Sequence, residues 1–398
     1  GGYSNTSAVG GVLSGTVADA PVAFPVEGYC AAAGVVGKAS AQCDNETTAK
    51  AGRETFTDGT DSVLGGTTAT TPVGGTIEAF GLAGSVIGTA DAEATETKEI
   101  KAGGYNGSRG DGSVGGGNIV QTPVATPIEL FGGAASLVGN SYASAEEEKD
   151  VSSGGDGNTE DDNAVLASNV IATPIAQPVQ AFGLSAAGVG IADGFATSDT
   201  ETTAGGKYTG SGEHAVGSGN IVQAASAAPI QVFGASAAAG GITTAAAENF
   251  SSTSAGGDND TSGAGSVASG NVAAVTNALP AQAHGLGASL IGNTTAYSDN
   301  VTEAFAGGMT TTDGSGGALS GNVVNGPIGG AAGVFGDAVS VVGFAQGAAG
   351  NDVTAISGDF TETNGDGGSV SGNVLSADVV PVAQVFGDAV TVAGFADG

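Results

Sequence analysis

The chain has 398 residues, 74 of them glycine, with no tryptophan, one methionine, and a formal charge of −32 from 40 acidic against 8 basic side chains. Such a field repels nucleic acid and anionic lipid, and no apolar run is long enough to span a membrane as a helix. Glycine follows no three-residue period, which excludes collagen, while 40% hydrophobic residues are more than a disordered acidic chain carries.

From the N-terminus onward the chain repeats itself. Tyr29 is followed at intervals of 51 residues by Phe80, Phe131, Phe182, Phe233, His284, Phe335 and Phe386. Eight residues after each ring stands a glycine: Gly37, Gly88, Gly139, Gly190, Gly241, Gly292, Gly343 and Gly394. A third anchor, a small residue followed by Asn and a β-branched residue, recurs from Gly117-Asn118-Ile119 to Gly372-Asn373-Val374 and is looser in the first two copies. The units are 1–51, which holds both cysteines, then 52–102, 103–153, 154–204, 205–255, 256–306, 307–357 and a truncated 358–398. No insertion separates the anchors, even across the Gly/Ser/Thr/Asp-rich half of each unit. Flexible linkers tolerate changes in length, so a constant count predicts that every residue lies over its counterpart one unit away.

Within a unit, short runs of alternating apolar residues such as Ile128-Glu129-Leu130 and Val390-Thr391-Val392 predict several strands of about four to six residues. Pro21, Pro72, Pro123 and Pro174 share one slot and Pro25, Pro127, Pro178, Pro229 and Pro280 another; both mark strand ends or edges, because proline lacks the ladder donor. The glycine eight after the ring predicts positive φ or close backbone approach. The expected class is all-β and elongated: eight tandem 51-residue β repeats, stacked as a solenoid or arranged as a row of small β modules. Stacking would make the ring slot a column, each buried Phe contributing roughly 1.5–3 kcal/mol.

Little in the sequence suggests catalysis. His284 falls in the ring slot and reads as a core imidazole. His214 stands in a variable loop and reads as solvated. No nucleophile elbow, phosphate loop or HExxH motif is present. Asp111, Asp162, Glu213 and Asp366 share one slot in acidic turns, so calcium is the one ion the sequence suggests; no organic cofactor is implied. Sequons at Asn5, Asn45, Asn106, Asn249, Asn259, Asn293 and Asn300 are candidate glycan acceptors. Cys30 and Cys43 are a disulfide candidate in a secreted context.

The block from the Gly-Asn step to the second glycine resembles the chaplin family, carried here by Gly372-Asn373-Val374, Pro381-Val382, Phe386-Gly387, Val392 and Gly394. Chaplins are small secreted proteins of filamentous actinobacteria that assemble into β-rich surface fibrils. The family's first cysteine is replaced by Phe or His in all but the first copy, so its disulfide chemistry does not carry over elsewhere. The resemblance implies an extracellular, self-assembling structural protein.

Neither terminal unit shows a distinct polar cap, and uncapped ends expose strand edges. The expected partner is therefore a second copy, joined head to tail into a filament at the cell surface, with cell-wall or surface glycans as further candidates. The alternatives are a calcium-stabilised adhesin and a glycan- or ice-binding stalk. The adhesin should carry a separate binding domain. The stalk should carry Thr-x-Thr arrays in one slot, whereas Thr67–Thr71 does not recur in register.

Overall fold

The third coil shows the plan on which the whole chain is built. A short strand, Asn106–Arg109, leads through a glycine-rich turn into three segments, Ile119–Gln121, Val124–Phe131 and Ala134–Ser136. A tight corner then reverses the chain into one long strand, Asn140–Ser153, and Gly154 turns it into the next short strand, Gly157–Glu160. The computed structural model describes residues 2–398, and among these there is no helix.

Every paired residue lies one repeat away. Phe131 pairs with Phe80 on one side and Phe182 on the other, and Asn140 with Thr89 and Ile191, all in parallel. The same register runs from Gly2↔Arg53 to Gln346↔Asp397. One repeat is thus one coil, and the coils stack along one axis into an all-β, elongated solenoid. Three parallel sheets result: a 24-stranded central sheet, an 8-stranded sheet of long strands, and an 8-stranded sheet of short ones. Among the described residues no strand pairs with another of its own coil, so the arrangement is a stack and not a row of separate modules.

The 14-residue strand is longer than any strand expected from the sequence. Its inward side chains in the third coil are Ser141, Ala143, Ala145, Glu147, Lys149, Val151 and Ser153. Small and polar residues face the interior, so no apolar alternation marks the strand. The core is correspondingly thin, built of alanine columns with a few β-branched and aromatic residues. A coil spacing of about 4.8 Å brings each alanine methyl against its copy above and below.

Two glycine slots follow from this close stacking. The residue after each ring, Gly81 through Gly387, has φ between 59° and 70°, which lets the central strand break and restart. The glycine eight after the ring serves a different need. A Cβ on Gly139 or Gly241 would collide with the carbonyl oxygen of Gly88 or Gly190 in the coil before. Close approach, rather than positive φ, therefore holds glycine in that slot; only Gly37 of the eight combines the slot with a left-handed φ, at 126°. Pro72, Pro123 and Pro174 stand at the first break of the central segments as expected, but Pro127 lies inside Val124–Phe131.

Candidate functional site

The ring slot forms a continuous column between the central and long-strand sheets. Centroids from Tyr29 through Phe80, Phe131, Phe182 and Phe233 to His284 are spaced by 5.1, 4.9, 4.8, 4.9 and 4.6 Å with nearly parallel planes. His284 then meets Phe335 at 4.5 Å with a 45° tilt, and Phe335 meets Phe386 at 6.3 Å. Phe80, Phe131, Phe182 and Phe233 have no exposed surface. His284 is equally buried and is tied down through both ring nitrogens, Nδ1 at 2.7 Å from Ser298 Oγ and Nε2 at 3.2 Å from Asn351 Oδ1. Burial pulls its pKa down to about 4.

A second column lines the outside of the glycine-rich turn. Asn118, Asn169, Asn220, Asn271, Asn322 and Asn373 form a ladder in which, from Asn169 on, each Nδ2 donates to the Oδ1 of the asparagine one coil before, at 2.8–3.2 Å. Each of those Oδ1 atoms also accepts the backbone N–H of the next asparagine. The Gly-Asn anchor of the sequence is thus a hydrogen-bonded spine that fixes register.

Cys30 and Cys43 are disulfide-bonded across the interior, with Cα atoms 5.7 Å apart. Cys30 holds the slot that is a left-handed glycine in every other coil, with its own φ at 55°. Cys43 holds the slot of Ala94 and Ala145, the alanines that face Gly81. The bridge closes the first coil across its interior. Closing a loop of this length is worth about 3 kcal/mol, and strain at a non-glycine left-handed residue returns about 1 kcal/mol. The double variant Cys30→Gly/Cys43→Ala, which installs the residues of the other coils, is therefore expected to lower unfolding free energy by about 2 kcal/mol in urea titrations. An unchanged midpoint would show that the first coil is held by stacking alone.

The predicted acidic slot is stacked but not convergent. Asp111, Asp162 and Glu213 lie on successive coils; Asp111 Oδ1 accepts the Asp162 N–H at 3.1 Å, His214 Nδ1 lies 3.2 Å from Asp162, and Ser262 donates to Glu213. Asp366 stands three coils beyond Glu213, past Ala264 and Ser315. His214 is exposed, as read from its loop. Of the sequons, Asn106, Asn249, Asn259 and Asn300 point inward and are buried, so the folded stack has no room for a glycan on them. Asn45 is half-buried against Glu27, while Asn5 and Asn293 are exposed.

The carboxylates that do converge were not singled out from sequence. Among the described residues, Glu27, Glu78 and Glu96, and then Glu78, Glu129 and Glu147, bring an oxygen each within 4.8 Å of one another. Lys98 and Lys149 occupy the centres of these two groups. Burial pushes Glu147 up to about 8. In the same slots further along, the core carries Gln180, Ser198 and Thr200, then Gln231, Asn249 and Ser251, so one polar column changes from charged to neutral along the axis. The signal was present in sequence as Glu96-Thr97-Lys98 and Glu147-Glu148-Lys149, one repeat apart, in a chain with only 8 basic residues. Asp161 is a further departure: it holds a slot that is glycine from Gly59 to Gly365, is buried, and is pushed up to about 7 by that burial.

Comparison with known proteins returns nothing: no family model, no curated protein and no solved structure matches the chain.

Proposed function

We propose that the protein is an extracellular structural protein whose molecules join end to end into a surface filament or fibrous coat. The observation that carries this reading is the single register. Because every coil pairs with the next through the same parallel offset, the upper edge of one coil is the template for the lower edge of any other. Inside the stack the following coil covers each ring, as at Phe335, which is 4% exposed. A coil laid down in the same register on any other covers its ring and pairs its strand edges in the same way. The reading rests on this self-complementarity and not on where the chain starts or stops.

Three further features support it. A disulfide fits an oxidising compartment. The charge of −32 would keep the sides of filaments apart while salt screens the approach of their ends. The chaplin-like block points to the same kind of role. Negative-stain microscopy and sedimentation velocity of the purified chain at rising concentration and salt provide the test. Rods of one coil's width that lengthen with concentration are expected, and Phe386→Asp together with Val390→Pro should leave single molecules. A wild-type chain that stays solitary at every concentration and salt level overturns the proposal.

A further inference from the structure

Five carboxylates and two ammonium groups share the interior of the first three coils. Glu27, Glu78 and Glu129 enter from the central sheet, and Glu96, Lys98, Glu147 and Lys149 from the long strands. All but Glu27 have fully buried side chains. Lys98 Nζ touches Glu78 Oε1 and lies 2.7 Å from Glu96 Oε1 and 2.9 Å from Glu27 Oε2. Glu78 Oε2 lies 2.6 Å from Lys149 Nζ, and the Thr76 hydroxyl donates to Glu78 Oε1. Neither carboxylate oxygen of Glu96 makes a well-directed hydrogen bond.

We propose that Lys98 and Glu78 condense to an amide, a covalent crosslink between the two main sheets. The starting pair is an ammonium and a carboxylate. Transfer of one proton within it gives an amine and a carboxylic acid. The Lys98 nitrogen then attacks Glu78 Cδ, the Cδ–Oε1 bond breaks, and one water leaves; no oxidant or activated intermediate is required. In bulk water the separated ions are the stable form. A dry interior penalises each buried ion by several kcal/mol, and the amide removes two of them while remaining a good hydrogen-bonding group.

Each step has a group in place. Glu96 lies against the attacking nitrogen, takes its proton and returns it to the departing oxygen. The Lys149 ammonium faces Oε2, where negative charge collects in the tetrahedral intermediate. Thr76 holds the departing Oε1. Burial also pushes Lys98 down, toward the amine that attacks, and pushes Glu96 up, which strengthens its carboxylate as the base that takes the proton. Lys149 differs: burial works against its charge, but Glu129, Glu147 and Glu96 together hold it as an ammonium, so it stays the counter-ion of the cage.

The intact mass of the whole chain, denatured and with its disulfide reduced, decides the matter. The expected value is one water below the mass of the sequence, and a tryptic map should show a branched peptide joining the segments of Glu78 and Lys98, with no cleavage after Lys98. Lys98→Thr, which installs the residue that Thr47 and Thr200 supply in the same slot, should restore the full mass. Glu96→Gln should leave the bond unformed or forming slowly. Full mass in folded, long-incubated wild-type protein overturns the crosslink, and so does a water loss that persists in Lys98→Thr. Unslowed crosslinking in Glu96→Gln overturns the proton-carrying role of Glu96.

Discussion

Replacing Lys149 with threonine is expected to lower the unfolding free energy by about 3–5 kcal/mol at neutral pH, because it strands the Glu129 carboxylate, beside that of Glu78, in an interior that cannot solvate it. Lys149 Nζ is in contact with Glu129 and Glu147 and lies 2.6 Å from Glu78, all fully buried. The triple variant Glu129→Gln/Glu147→Ser/Lys149→Thr should recover most of that loss, since it copies the next coil. There Gln180 Nε2 donates to Thr200 Oγ1 at 2.9 Å, and the Ser198 and Thr200 hydroxyls lie 3.1 Å apart. The two variants also differ in pH dependence. Glu147 titrates near 8 when folded against an ordinary value of 4.5, so the folded state holds its proton longer and stability falls as pH rises from 4.5 to 8. The triple variant should lose that slope. Urea titrations followed by far-UV circular dichroism across this range give both results. A Lys149→Thr protein as stable as wild type would show that the cage is hydrated, and a triple variant weaker than the single would show that core residues do not transfer between coils.

The repeat was legible because stacking in register leaves a strict record in sequence. The ring and glycine columns follow from anchors spaced at 51 residues, and the absence of insertions already implied residue-over-residue stacking. The long strand was not legible, since hydrophobic alternation is the usual mark of a half-buried strand. In Asn293–Ala306 the inward residues include Thr294, Ala296, Ser298, Asn300 and Thr302, which a pattern of apolar periods passes over. Ala296 and Ser298 are small enough to face inward, and Asn300 and Thr302 find polar partners in a neighbouring coil, as Asn300 Nδ2 does at 2.7 Å on Asn351 Oδ1 and Thr302 Oγ1 does as acceptor from Asn249 Nδ2 at 3.3 Å. The same blindness hid the Glu/Lys cage. Conversely, Asp111, Asp162, Glu213 and Asp366 share a slot for want of any constraint against it. Their turn faces outward, and register stacks them without making a ligand shell.

Register also explains how the copies can drift so far apart. A slot is defined by its neighbours above and below, so a residue is tolerated when the column accepts it. The slot of Glu129 passes from Glu78 through Gln180, Gln231 and Gln282, a change of charge with little change of shape. Gln180 Nε2 donates to Glu129 Oε2 at 2.8 Å at the junction, so the charged and neutral stretches join through a hydrogen bond instead of an unpaired ion. Where stacking brings backbone against backbone, as at Gly139 and Gly190, no such drift is seen within the chain.

His284 offers the sharpest test of the ring column, because a single change converts it to the residue of its neighbours. Asn351 Oδ1 can only accept, so Nε2 carries the hydrogen, and Nδ1 accepts from the Ser298 hydroxyl. The imidazole is therefore neutral, stacked 4.6 Å from Phe233. Its folded pKa lies near 4 against an ordinary 6.5. Above pH 6.5 neither state is protonated and the group adds no pH dependence; below it the unfolded chain binds the proton first, and stability declines until the pH reaches about 4. At roughly 1.4 kcal/mol per pH unit, the loss amounts to about 3 kcal/mol. His284→Phe combined with Ser298→Ala, the pair that Phe233 and Ala247 form one coil earlier, should abolish this loss. Subtracting the variant's unfolding free energy from that of wild type at each pH cancels the carboxylates common to both. A difference that stays flat from pH 7 to 4 would mean that the imidazole is reached by water, and the column would then be open at its sixth ring.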